Sequence, residues 1–274
     1  MSSDRRDTPG PGGRDPLDVD ELRRVLLLEG SVWTGLEVSA STTSTNADVV
    51  AAVGAGAPEG LVVATEHQTA GRGRLDRRWE TPPGAGLMVS VLLRPDGVAL
   101  PQWTWLPLLT GLAVDLTARD CGVTSGLKWP NDVLVEGRKI SGILLERADG
   151  PAGPAAVVGI GLNVSTTPDE LPVPTATSLA IEGATTVDRG VVLQLLLGHL
   201  ERLYRPWLAS AGDPALLRRD YLEQSVTLGS RVRVELPDGS TLTGVAHDID
   251  PLGRLVVDGR AISAGDVTHV RAVG

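Results

Sequence analysis

The sequence predicts a large domain of mixed helices and strands followed by a small β-barrel. Three observations lead there. Up to about residue 226, short apolar runs rich in Val and Leu are interspersed with longer helical patterns. After Thr227 the texture changes. "SRVRVEL", "STLTGVAHDID", "GRLVVDG" and "AISAGDVTHV" are short alternating segments separated by tight turns such as "PDG", which is the pattern of a barrel over 227–274. The 274 residues, 42% of them hydrophobic, suffice for one sizeable core and a smaller satellite domain.

The elements follow in order. Residues 1–16, "MSSDRRDTPGPGGRDP", are rich in Gly, Pro and charge and read as a disordered tail, which leaves 17–226 for the large domain. "ELRRVLLLEG" is one amphipathic helix with Asp18 or Asp20 as N-cap and Gly30 as its stop. "TTSTNADVVAAVGAGAPEG" is a polar turn feeding a second helix, with Thr45 and Asp48 spaced as a capping box. "LVVAT" (61–65) and "LMVSVLL" (87–93) are buried strands, the latter ended by Arg94-Pro95-Asp96-Gly97. "TWLPLLTGLAVDLTARDC" (104–121) is a buried helix that tolerates Pro107 in its first turn. "LKWPNDVLVEGRKISGILLE" (127–146) reads as strand, turn, strand, with the turn at Glu136-Gly137-Arg138. "AAVVGIGLNV" (155–164) is a further strand whose glycines point to close backbone approach by a ligand. "VVLQLLLGHLERLYRPWL" and "DPALLRRDYLEQ" are helices, with Pro214 opening the second.

Composition excludes several classes. The formal net charge of -9 argues against broad nucleic-acid binding. No apolar run is long enough to span a bilayer, and the N-terminus has no apolar signal core, so no membrane or secretory role is expected. The single Cys121 falls in an apolar helical pattern and reads as a buried thiol, consistent with a reducing cytoplasm. Phe is absent, so Val, Leu and Ala must fill the core and the six Trp carry more information than usual.

Two segments hold more polar detail than their positions require. In "GRGRLDRRWE" (71–80) an acidic protein gathers four arginines around two glycines. The glycines permit unusual backbone geometry, and the guanidinium forks suit phosphate or carboxylate. Mutual repulsion of the arginines predicts a loop that orders only when an anion arrives. In "KWPND", Lys128, Asn131 and Asp132 flank Pro130, and Lys139 opens the next strand. This is either an ordinary hairpin or a site for an anionic ligand with a proton to move.

Together these stretches resemble the biotin–protein ligases. "STN" (44–46), "EHQTAGRGR" with "RRW" (66–79), "KWPND" (128–132), "GRKISGILLE" (137–146) and "GIGLNV" (159–164) stand in that family's order and spacing. The resemblance covers about residues 31–274. It implies an α+β domain with a mixed sheet, related to class II aminoacyl-tRNA synthetases, followed by an SH3-like barrel. The implied reaction has two steps: ATP activates biotin to biotinyl-5'-AMP, then a carrier lysine takes the acyl group. ATP with Mg2+ is implied, the ion held mainly by the ATP phosphates, and no permanently bound cofactor. The implied partner is the biotin carboxyl carrier domain of an acyl-CoA carboxylase, with no DNA and no membrane. One helix in residues 1–30 is too little for a helix-turn-helix module, so the chain resembles the class that lacks a DNA-binding domain.

The resemblance also assigns residues. Ser44, Thr45, Asn46 and Gln68 would line the biotin pocket, and a neutral ureido ring does need uncharged hydrogen-bonding partners. Gly142 would let backbone approach biotin. Arg72 and Arg74 would contact carboxylate and phosphates, and Lys139 would sit between biotin's carboxylate and the α-phosphate. Trp79 would cover the adenylate. Lys128, Asn131 and Asn163 would contact the nucleotide, Asn163 at the adenine edge. Asp132 is either the group that accepts a proton from the carrier lysine or an orienting partner for Lys128 or Lys139. The sequence departs from the pattern at Leu75-Asp76, where better-known members often have a basic and a small residue, and this bears on the loop's mobility. Two other readings stand beside this one. A lipoate or octanoate transferase shares the fold, and binding of lipoate rather than biotin would mark it. A nucleic-acid adaptor would use the arginine loop and the barrel, and salt-dependent duplex binding would mark it.

Overall fold

The computed structural model describes residues 14–75, 77–263 and 265–269. The expected tail falls outside them up to residue 13. Residues 14–16, assigned to that tail, lie against the body instead. Arg14 pairs with Glu170 at 2.7 Å, and the buried Arg189 donates to the Asp15 carbonyl at 2.6 Å.

The elements run α1 (Val19–Leu26), β1 (Gly35–Ser39), α2 (Thr45–Gly54), β2 (Leu61–Thr65), β3 (Gly86–Leu93), α3 (Trp105–Asp120), β4 (Gly126–Lys128), β5 (Asp132–Val135), β6 (Arg138–Gly150), β7 (Gly153–Asn163), α4 (Arg189–Ala209) and α5 (Ala215–Gln224). The small domain then holds β8 (Arg231–Glu235), β9 (Thr241–Ile249), β10 (Leu255–Val257), β11 (Arg260–Ile262) and β12 (Asp266–His269). Asp18 caps α1 by accepting from the Glu21 N–H at 3.0 Å. The capping box expected at Thr45 does not form. Ser44 is the cap position and its side chain makes no cap bond, while Thr45 N–H goes to Gln68 Oε1 at 2.9 Å. A side chain of the following loop thus satisfies a helix-start donor, which frees Thr45 Oγ1 for the interior. The segment read as two strands around one turn is three. The chain also reverses at Trp129-Pro130-Asn131, so Lys128 and Asp132 face each other as register partners of β4 and β5.

Seven strands form one sheet in the order β1-β2-β3-β7-β6-β5-β4, with β1 and β2 parallel and the other neighbours antiparallel. The two-residue side-chain period separates its faces. Val89 and Val91 of β3, with Val158, Ile160 and Leu162 of β7, join the helices of the main core. On the other face Leu92 and Val157 pack with Val49 and Val53 of α2. Ser90, Gly159 and Gly161 alternate with the main-core residues and face the α2 side, where the functional cavity opens.

The five strands after Thr227 form an antiparallel sheet in the order β11-β10-β9-β8-β12. Polar ties bind this domain to the body. Trp129 donates its indole N–H to the Gly253 carbonyl at 2.9 Å and its backbone N–H to Thr227 Oγ1 at 3.0 Å. Trp105 donates to the Pro251 carbonyl at 2.9 Å, and Arg218 pairs with Asp248 at 2.6 Å. These bonds pin the β4–β5 hairpin, and with it Lys128, Asn131 and Asp132. Cys121 is fully buried, and burial pushes its thiol pKa up, in keeping with an inert core residue.

Candidate active site

The site is built from the floor upward. Ser44, Thr45 and Asn46, at the start of α2, are nearly inaccessible to solvent. Gln68 Oε1 accepts from Thr45 Oγ1 at 3.2 Å, and Ser90 Oγ lies 2.7 Å from Thr45 Oγ1 and 2.6 Å from Asn46 Oδ1. Asn46 Nδ2 donates to Glu146 Oε2 at 2.6 Å. The floor is therefore an uncharged hydrogen-bonding surface whose groups fix one another's orientation.

Two glycines make room for it. A Cβ on Gly159 would lie 2.9 Å from Asn46 Cγ and closer still to its Oδ1. A Cβ on Gly161 would lie 2.8 Å from Trp79 Cδ2 and Cζ2. The close approach signalled by these glycines is thus made by the protein's own side chains. Trp79 lies over β7 with its Nε1–H buried and without a partner among the described residues.

The other end of the cavity is charged. Lys139 Nζ pairs with Asp132 Oδ1 at 2.6 Å and stands 5.6 Å from the Trp79 ring centroid. Lys128 Nζ lies 3.8 Å from Asp132 Oδ2, so one carboxylate is held between two lysines. Asn131 donates to the Ile143 carbonyl at 3.0 Å and accepts from Arg74 at 3.1 Å. Burial pushes the Arg74 guanidinium below its ordinary pKa, against the opposing pull of Asp132 and Asp266. Gly142, the register partner of Gly161, keeps β6 bare beneath Lys139 and Trp79.

The arginine loop is folded over the cavity in this structure. Three of its four arginines meet partners in the protein. Arg72 pairs with Glu146 at 3.0 Å, Arg77 pairs with Asp266 of β12, and Arg74 also reaches the Gly265 carbonyl at 3.4 Å. The loop thus closes onto both the sheet and the small domain. Leu75 adopts φ 54, a left-handed turn position that costs a branched residue about 1 kcal/mol. Asp76 lies outside the described residues.

Eleven of the thirteen residues singled out from the sequence line this cavity. Lys128 and Asn163 do not. Lys128 stands behind Asp132. Asn163 ends β7 buried, its amide donating to the Thr177 carbonyl at 2.9 Å. Arg72 reaches the cavity but its guanidinium lies at the Glu146 end, away from Lys139. Sequence reading missed Ser90, Glu146 and Asp266. Ser90 carried a signal as the one polar residue inside "LMVSVLL", whereas the other two look like ordinary strand-end acids.

A cavity with a neutral polar floor and a cationic mouth under an arginine lid belongs to a protein that seats a small ligand with an uncharged head and an anionic tail. Comparison with known proteins agrees. Residues 38–163 match the model of the Biotin/lipoate A/B protein ligase family, and residues 227–270 match that of the Biotin protein ligase C terminal domain. The biotin--[acetyl-CoA-carboxylase] ligase of Mycobacterium tuberculosis is 46% identical, over 94% of this chain and 97% of that protein. The bifunctional ligase/repressor BirA of Bacillus subtilis is 36% identical over 74% of this chain, which spans only 62% of that longer protein. The solved structure of the biotin protein ligase from Aquifex aeolicus in complex with biotin and ATP superposes with a TM-score of 0.73 at 26% identity, over 88% of this chain and 100% of that one. The chain belongs to the biotin protein ligase family.

Proposed function

We propose that the chain activates biotin with ATP to biotinyl-5'-AMP and transfers the biotinyl group to a lysine of the biotin carboxyl carrier domain of an acyl-CoA carboxylase, in the cytoplasm. One observation carries this reading: the neutral floor of Ser44, Thr45, Asn46 and Gln68 shares a cavity with the charged group of Lys139, Arg74 and Asp132. Biotin's uncharged ring suits the first and its carboxylate the second. The names of the relatives in Mycobacterium tuberculosis and Paracoccus denitrificans support the acyl-CoA carboxylase destination.

In the first step a biotin carboxylate oxygen attacks the α-phosphorus of ATP, and the bond to pyrophosphate breaks. Two anions must meet, so cations that are already in place lower the barrier. Lys139 and Arg74 stand at the mouth for this purpose, and Trp79 closes over the product. Magnesium would come with ATP, held mainly by its phosphates. Bound there, it would withdraw charge from the phosphate oxygens. Lys128, Asn131 and Asn163 would contact the nucleotide. In the second step a neutral carrier amine attacks the acyl carbon, AMP leaves, and the amine gives up a proton. The contact of Asp132 with Lys139 favours an orienting role while that pair holds. The carboxylate becomes a proton acceptor only once Lys139 turns to phosphate.

The test is incubation with biotin, ATP and magnesium, with pyrophosphate release and biotin transfer to a carrier domain as readouts. Equal or greater release with lipoate would overturn the biotin assignment in favour of a lipoate ligase.

A further inference from the structure

The reaction above leaves one carboxylate beside the cavity without a task. We infer that Glu146 is a positioning residue that couples the neutral floor of the pocket to the arginine lid and so sets biotin affinity; this rests on the ligase reading above. Glu146 follows Gly142 and Leu144 on one face of β6, about 13 Å along the strand from Gly142. A single oxygen, Oε2, accepts from Asn46 Nδ2 at 2.6 Å and from Arg72 at 3.0 Å. Asn46 is only 4% exposed, and its Oδ1 faces the Ser90 hydroxyl at 2.6 Å. With a donor on one side and a carboxylate on the other, its amide has one satisfied orientation. The bonds run from Gln68, which accepts the Thr45 N–H, through the Thr45 and Ser90 hydroxyls to Asn46, Glu146 and Arg72, so both ends of the chain lie in the loop that closes the pocket.

This arrangement divides the lid's arginines. Arg74 serves the anionic end of the ligand beside Asn131. Arg72 serves the neutral end, where it holds the lid down by pairing with an acid of the sheet. An amide in place of Glu146 keeps an acceptor for Asn46 but removes the charge that holds Arg72.

The experiment measures biotin binding by titration and the KM values for biotin and ATP in Glu146→Gln, Arg72→Gln and the double variant. The wild-type titration comes first, and a wild-type chain that does not bind biotin refutes the ligase reading itself. With binding present, Glu146→Gln is expected to weaken biotin by about 10-fold, the scale of losing one charge-assisted contact. The KM for ATP should move less than about 2-fold, and the double variant should be no weaker than the worse single one. Additive losses, an unchanged biotin affinity, or an equal rise in both KM values would overturn the inference. Should Glu146→Gln fail to fold, the half-exposed Arg72→Gln carries the test alone. It must show the same selective loss for biotin, and a loss falling on ATP instead overturns the coupling.

Discussion

Gly161→Ala tests whether the lid closes by laying Trp79 on the bare backbone of β7. The added methyl would sit 2.8 Å from Trp79 Cδ2 and Cζ2 and nearer still to Cε2, whereas ordinary contact begins at 3.4 Å. The indole must therefore withdraw by about 0.6 Å from two ring atoms and further from a third. Strand β7 cannot give way, because it is bonded to β3 and β6 along its length and packs into the core. Keeping the indole in place would cost about 1–3 kcal/mol of overpacking strain. The lid is held more weakly. Its ion pairs, Arg72–Glu146 and Arg77–Asp266, involve half-exposed arginines, each worth about 0–1 kcal/mol. The lid should yield and the sheet should not. Expected are a thermal midpoint within a few degrees of wild type, faster hydrogen exchange over residues 66–79, and release of biotinyl-5'-AMP faster by about 10-fold or more. Wild-type exchange and release in a folded Gly161→Ala protein would refute the packing of Trp79 on Gly161. A large loss of stability would refute the ranking of lid below sheet.

Lys139→Ala should cut pyrophosphate release by about 100-fold or more while the fold survives, since it removes a transition-state charge and little packing. Near-normal release would remove Lys139 from catalysis. Ser90→Ala leaves Asn46 Oδ1 and Thr45 Oγ1 short of a buried partner and should cost about 1–2 kcal/mol of stability and weaken biotin binding, read by denaturant unfolding and titration. Unchanged binding would show that the floor does not need it. Asp266→Asn should loosen the lid in the same exchange assay and lose most of its effect in an Arg77→Gln background, whereas additive effects would mean the two residues act separately. His269 has its pKa lowered by burial and by nearby Lys128, so the unfolded chain takes up its proton first as pH falls. The stability it contributes is complete above about pH 6.5 and declines as the pH drops below that value. His269→Asn should flatten this slope in thermal melts, and an unchanged slope would place the titration elsewhere.

Much was legible in the sequence because it rests on local rules. Continuous apolar runs marked β2, β3 and β7, and the change to short alternating segments at Thr227 marked the small domain, since strand burial and turn chemistry are written in neighbouring residues. Residue types announced the chemistry: arginine forks for an anion and amides and hydroxyls for a neutral ring. The tertiary structure alone decided which of these groups meet. Thr45 looked like a helix cap until Gln68 took its N–H and Ser90 its hydroxyl. The arginine loop looked self-repelling until Glu146 and Asp266, far away in sequence, supplied the opposing charge. The glycines of "GIGLN" signalled room, and the fold filled it with Asn46 and Trp79. Whether an acidic residue near a strand end faces solvent or a guanidinium depends on pairings over 74 residues for Arg72 with Glu146 and 189 for Arg77 with Asp266, and no local period encodes a separation of that kind.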